Sequence, residues 1–554
     1  MSTKARNRLR ESARAFRATA SNRNLRRVQL SFGAAWTAEW AFTVALGVVA
    51  FEEGGAAAVG LVAFVRTVPA AVLSPVGSAL ADRVRRDRVL LWSCLIRAVA
   101  TGAAALLLGA GSSIAAVYAL AVVATAAVTV FRPVHAALLP ALCLTPLELT
   151  SANVVRGLID SLSTLLGPLA AAALLGFASP AAVVALVAVL SAWSGMLLTR
   201  LSYEPPPRAK PQPLGQILGE TAEGFRALRR HRDAGGVVGI ALAQIFTRGC
   251  LAVFLVVMAL DLLDMGDPGV GVLTAAVGVG AVVGSLGVSA FATGRRLAAI
   301  EGVGAALWGL PLTLSGALPY EPAVLVLMCV VGVGNALVDV GLFTLVPRLV
   351  PEEMLARAFG AMESLGALAL AVGSLVTPLV IELLGIRGAL AALGLVAPVC
   401  VAFAWRRLSA IDSSMTHRDE EIDTLRAVTM LRPLPMPAID NLAIHVEHED
   451  LPPGRDVFRQ GEHGERFYVI KHGEAEVIGD GRLVRIIGPG DCFGEIALLR
   501  DTVRTATIRA RTPLMLYTLE RRHFVSNVGG YLSSRREAET LIDERLESFR
   551  PTAP

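Results

Sequence analysis

Residues 77–90 read GSALADRVRRDRVL, a basic stretch between two apolar runs, and residues 287–300 read GVSAFATGRRLAAI, 210 positions further on. Gly77 answers to Gly287, and Arg85 and Arg86 answer to Arg295 and Arg296. A second pair keeps nearly the same spacing: LPALCLTPLEL at 139–149 and VPRLVPEEML at 346–355. A repeat of this period, in an apolar chain, reads as two copies of one multi-helix unit, an arrangement common among secondary transporters.

The rest of the composition agrees. Of 554 residues, 54% are hydrophobic and 18% charged, against roughly 25% charged in soluble proteins. Small residues, 52 of them Gly, let membrane helices approach closely. Twelve apolar segments approach the roughly 20 residues that a membrane span requires: 29–51, 57–80, 89–110, 114–134, 153–177, 181–203, 236–260, 269–292, 299–317, 322–345, 358–383 and 387–407. Loops after odd-numbered segments are almost free of Lys and Arg, with Arg387 the exception. Loops after even-numbered ones carry Arg83, Arg85, Arg86 and Arg88, then Arg208 to Arg232, then Arg295 and Arg296. Positive charge stays inside, so both termini are expected in the cytoplasm and the chain in the inner or plasma membrane. Residues 1–27 hold nine Lys or Arg and one acid, Glu11. Ahead of a first span such an arm fixes topology, and no nucleic acid is expected as a partner. Six scattered cysteines form no CxxC pair, and eight histidines show no ligand spacing, so neither a metal site nor a disulfide framework is expected. No nucleophile–base pattern marks an enzyme, and no cofactor is expected.

The expected fold class is therefore an all-α membrane bundle of twelve transmembrane helices, six plus six, followed by a cytoplasmic β-roll with helices. The divisions read as a basic arm (1–27), a first half (28–203), a central loop (204–235), a second half (236–408), a linker (409–430) and a soluble domain (431–549). The central loop begins EPPPRAKPQP, which is extended, and continues LGQILGETAEGFRALRRH. That stretch reads as a helix on the membrane surface or as a plain linker helix.

Residues 28–408 resemble the major facilitator superfamily of transporters. GSALADRVRR (77–86) resembles its signature between spans 2 and 3, and FRPVHAALLPALCLTPLELTSANVVRGLIDSLSTLLGPL (131–169) is similar to efflux members. The resemblance implies alternating access and a small organic, amphiphilic substrate. It also implies that Asp82 and Arg83, with Arg85 and Arg86, lock one gate; the alternative is that these arginines only set topology. The second copy has Ala292 where Asp82 would fall.

Ionisable residues inside spans are costly and so mark function. Glu39 on span 1 and Arg66 on span 2 lie at matching depth, as an ion pair or with Glu39 as a proton carrier. Arg97 is a partner for Glu39 or for Asp160, itself a transport candidate. Trp36 and Trp40 flank Glu39. Arg132 and Asp339 each stand eight residues before the proline of the repeated LP/VP pair, Pro140 and Pro347. They are expected to bridge the halves when the inner gate closes, with Glu363 a further gate candidate. Arg156 and Arg248 carry no assignment.

After residue 409 the pattern changes to short β runs punctuated by Gly, with a hairpin turning at Gly479, Asp480 and Gly481. This region, about 431–549, resembles a cyclic nucleotide-binding domain through LPPGRDVFRQGEHGERFYVIKHGEAEV (451–477) and DCFGEIALLRDTVRTATI (491–508). The resemblance implies that Glu495 accepts the ribose 2′-hydroxyl, that Arg504 and Thr505 hold the cyclic phosphate, and that backbone N–H groups of Gly494, Ile496 and Ala497 complete the cradle. Cyclic AMP is the expected regulatory ligand, with cyclic GMP possible through Thr505. The expected function is a proton-coupled exporter under cyclic-nucleotide control; the alternatives are a non-transporting receptor or an exporter of the nucleotide itself.

Overall fold

The computed structural model describes residues 22–83, 85–143, 146–199, 201, 223, 225–226, 228–291, 296–350, 352–434, 436–529 and 532–547, with backbone alone at 69–83, 146–147, 150, 288–291, 352–353, 356, 415–419, 436–437, 440, 529, 532–533, 535 and 546–547. The chain divides into two compact units, Met1–Ser409 and Ala410–Pro554.

Among the described residues, helices alone build the first unit. They are α1 (Arg23–Arg83), α2 (Arg86–Gly109), α3 (Ile114–Thr129), α4 (Phe131–Leu142), α5 (Pro146–Leu175), α6 (Pro180–Leu198), α7 (Arg232–Val257), α8 (Gly266–Phe291), α9 (Leu297–Ala317), α10 (Glu321–Leu349), α11 (Glu352–Gly394) and α12 (Val396–Ala427), which carries the chain into the second unit. A π-turn, Met258–Leu262, extends α7. Two of these run through non-helical breaks: α1 at Gly54 and Gly55, α11 at Gly385. Among the described residues, ten helical stretches are long and apolar enough to cross a membrane. In lipid a backbone can satisfy its own polar groups only as a helix or closed barrel, which is why apolar runs of this length become helices. Their outer faces stay oily: Leu383 and Phe403 are at least 80% exposed. A surface of that kind belongs in a bilayer, so this is a multi-pass membrane protein.

The halves, α1–α6 and α7–α12, meet through α5 against α8 and α1 against α11. The closest approaches are at glycines. A Cβ on Gly60 would stand 2.5 Å from the Ser374 carbonyl oxygen, one on Gly271 2.6 Å from that of Pro168, and one on Gly47 2.8 Å from Val256. All these residues but Ser374, which stands eleven positions before Gly385, lie within about eight positions of the turns at 54–55, 176–179, 263–265 and 385, so these contacts hold the halves together toward one end.

The second unit is a β-roll with flanking helices. One antiparallel sheet has the order β1 (Glu447–Leu451), β8 (Leu514–Glu520), β3 (Arg466–His472), β6 (Cys492–Phe493). The other runs β2 (Asp456–Phe458), β7 (Thr507–Ala510), β4 (Ala475–Gly479), β5 (Arg482–Ile487). The β4–β5 hairpin turns at Asp480 and Gly481, both with positive φ, the requirement of a tight two-residue connection. Tyr468, Ile470, Val477, Phe493, Ile508 and Leu516 belong to a core built from both sheets. A second core packs helices α13 (Met436–Ile444), α15 (Arg521–Gly529) and α16 (Leu532–Glu547) on Phe467, Val469 and Tyr517. Here the structure departs from the sequence reading. Residues 409–430 are not a separate linker: α12 continues to Ala427, and Ile422, Leu425, Val428 and Met430 are buried in that second core. Their apolar spacing is short and diluted by charge, so it reads as linker until its partners are known.

Candidate functional site

The site in the second unit is built where β6 ends. Gly494 takes φ 88°, a left-handed conformation that a side chain would strain. A Cβ there would also meet the Arg504 guanidinium at 2.5 Å. This turn starts the short helix α14 (Glu495–Leu499) against a pocket open to solvent. All six residues named from the sequence, Gly494, Glu495, Ile496, Ala497, Arg504 and Thr505, line it. The structure adds Phe458, Val477, Ile508, Arg485 and Arg545.

Arg504 is 4% exposed. Its Nη1 donates to the Gly494 carbonyl at 2.9 Å and its Nη2 to the Arg466 carbonyl at 2.7 Å. Its guanidinium lies over the Phe458 ring, 4.1 Å from the centroid. Its Nε has no partner, and no carboxylate of the described residues lies within ion-pair distance. Burial, before any other influence, pulls its pKa below the ordinary arginine value. A buried cation so placed is stabilised by an anion. Glu495 is 1% exposed; Arg545 Nη1 donates to its Oε1 at 2.6 Å, and Oε2 has no partner. Arg545 also donates to the Cys492 carbonyl at 2.8 Å. Burial, then the Glu495 carboxylate, pushes the Cys492 thiol up to about 12, so it stays protonated and serves as a packing residue. Arg545 carried no signal in the sequence. It is one basic residue on a charged helix, and its partner lies 50 positions away.

The first unit holds two charge clusters. In one, Glu39 accepts from Arg66 at 3.0 Å and faces Arg97 at 2.8 Å, while Arg66 Nε donates to Thr125 and Arg97 to the Ala35 carbonyl. The expected Glu39–Arg66 ion pair is present, and Arg97 joins it, so that the two carboxylate oxygens meet two arginines. In the other, Arg132 pairs with Asp160 at 3.0 Å and lies over the Trp36 ring. The expected Arg132–Asp339 bridge is absent in this arrangement. Arg132 finds its acid within its own half, and Asp339 accepts from Asn335 at 3.0 Å. Arg248 stands within electrostatic reach of Asp339 and Glu363 in its own half and of Arg132 and Asp160 across the halves. Arg156 lies over the buried Phe32 ring. The side chains of Asp82 and Arg83 lie outside the described residues, as does most of the central loop.

A bundle of apolar helices in two halves and a β-roll with a buried arginine at its pocket make a multi-pass membrane protein with a second, pocket-bearing domain. The family model of the Major Facilitator Superfamily matches residues 29–374, more than half of the chain, and the chain belongs to that superfamily. The cyclic nucleotide-binding domain model matches residues 448–527. The chain is thus a transporter of this superfamily fused to a cyclic nucleotide-binding domain. Among similar proteins, a cAMP-dependent protein kinase regulatory subunit of Schizosaccharomyces pombe is 43% identical over 84 residues, 15% of this chain and 20% of that one. The regulatory subunit of Yarrowia lipolytica is 33% identical over 144 residues, 25% of this chain and 38% of that one. An uncharacterized protein of Mycobacterium tuberculosis is 39% identical over 93 residues, 17% of this chain and 18% of that one. The chain thus spans well under half the length of each of these relatives.

Proposed function

We propose that the chain is a secondary transporter that exports a small organic molecule, and that a cyclic nucleotide bound to its tail biases the transport cycle. The observation that carries the regulatory part is Arg504: a buried guanidinium with an unpartnered Nε, lining the same pocket as Glu495, whose Oε2 also lacks a partner. A cyclic phosphate supplies the anion that Arg504 lacks, with Thr505 and the backbone N–H groups of Gly494, Ile496 and Ala497 donating beside it. The ribose 2′-hydroxyl donates to Glu495. Cyclic AMP is preferred over cyclic GMP, in keeping with the names of the fungal relatives.

The bundle works by alternating access of its halves. The glycine breaks in α1 and α11 divide the ten apolar stretches into twelve spans, with both termini and the tail in the cytoplasm of an inner or plasma membrane. The glycine zip then closes the outer end and leaves the cleft open inward. Proton coupling falls to cleft-facing acids, Asp339 and Glu363, rather than to Glu39. Nucleotide binding shifts the cycle only by its differential affinity for the two states, typically about 1–3 kcal/mol. The test is calorimetric titration of the full chain with cyclic AMP and cyclic GMP, followed by transport in proteoliposomes with and without the ligand that binds. Heat with neither nucleotide, or identical transport rates, would reject regulation.

A further inference from the structure

Two histidines of the second unit take no part in the site described above. His445 directly follows α13, and His523 lies in the first turn of α15. Their rings are stacked, with centroids 3.7 Å apart and planes 18° apart. Beside them in the chain, Leu442 and Ala443 on α13 and Phe524 and Val528 on α15 are buried in one core. His445 is exposed and His523 half-buried, so the stack forms the outer edge of the seam between the two helices. His445 Nδ1 donates to the Asn441 carbonyl at 2.8 Å. A carbonyl only accepts, so that nitrogen keeps its hydrogen in the neutral and the charged ring alike. The ring therefore stays in place when it gains a proton.

The surroundings offer no counter-ion. Among the described residues, the groups whose charge acts on His523 are His445, Arg522 and Glu520. Arg522 and Glu520 pair with each other at 2.8 Å. Other charges on the elements packed around the seam are engaged elsewhere: Arg521 with Asp501, Arg466 with Glu447, Arg500 with Asp543 and Arg545 with Glu495. Burial, then the His445 ring and Arg522, hold His523 below the ordinary imidazole value. A histidine of that kind contributes its full stability above about pH 6.5, the unfolded value, and loses it as pH falls toward the folded one. Two neutral rings attract each other, and one imidazolium over a neutral ring still does. Two imidazolium rings at this separation repel.

We propose that the His445–His523 stack is an acid-sensitive clasp, which holds α13 on α15 at neutral pH and releases it when both rings carry a proton. The clasp makes the tail respond to pH in a way that does not depend on what its pocket binds.

Amide hydrogen exchange with mass spectrometry, on the full chain in detergent without nucleotide, reads the two helices through peptides covering 436–445 and 521–529. Protection is compared at about pH 7.5 and about pH 5.5, the span over which an imidazole gains its charge, after correction for the intrinsic pH dependence of exchange. In the unmodified protein both helices should lose protection about fivefold or more at the lower pH, the factor expected of two unit charges about 4 Å apart in water. His445→Phe leaves one imidazolium over an aromatic ring. His445→Gln leaves one titrating ring and an uncharged donor for the Asn441 carbonyl. Both variants, and His523→Phe, should keep most of their protection at the lower pH. Equal protection at the two pH values in the unmodified protein would overturn the proposal. So would a loss at low pH in the three variants as large as in the unmodified protein, because the response would then belong to other groups.

Discussion

Glu495 gives one carboxylate oxygen to Arg545 at 2.6 Å and keeps the other buried without a donor. One oxygen is spent on holding the terminal helix, and the second is left for a ligand in the pocket that Glu495 lines. We expect Arg545→Ala to leave a buried unpaired carboxylate and to destabilise the second unit by about 3–5 kcal/mol. The double variant Glu495→Gln/Arg545→Met should lose less than the single one. Denaturant unfolding of residues 410–554, which have two cores of their own, measures both.

Arg504→Ala should weaken cyclic-nucleotide binding by about tenfold or more, the equivalent of a charged hydrogen bond. Arg504→Lys should recover only part, because an ammonium lacks the planar fork of donors. Titration calorimetry on the full chain decides; an affinity equal to that of the unmodified protein would contradict the assignment.

Glu39 is the one carboxylate between Arg66 and Arg97, and Arg97 is 2% exposed. Glu39→Gln leaves two interior guanidinium groups without a counter-ion, and the loss is expected to be about 3–5 kcal/mol. Adding Arg97→Met should return part of that stability. The melting temperature of the detergent-purified protein reads the order of the three variants.

Asp456 accepts from Arg509 at 2.7 Å and from Arg459 at 3.1 Å. The Arg509 hydrogen bond, above all, holds its carboxyl below the usual range. A depressed carboxyl contributes stability above its ordinary pKa and loses it as pH falls through the folded-state value. Residues 410–554 should therefore lose stability below about pH 4, with the Asp456 share under about 1 kcal/mol because the pair is near the surface. Asp456→Asn should flatten that share of the pH profile of thermal unfolding.

Segments with local causes were legible from the chain alone. An apolar run must be a helix in lipid whatever surrounds it. The Asp480–Gly481 turn needs only its own backbone preference, and the Gly494–Thr505 cassette is continuous enough to be read as one unit. The repeat announced two halves. What tertiary structure decided were partners separated by tens or hundreds of residues: Arg545 on Glu495, Arg97 joining Arg66 on Glu39, Arg132 on Asp160 rather than Asp339, and residues 422–430 in a core rather than in a linker. A charge buried in a low-dielectric interior takes whichever opposite charge the packing brings within about 4 Å, and no spacing along the chain records which one that is.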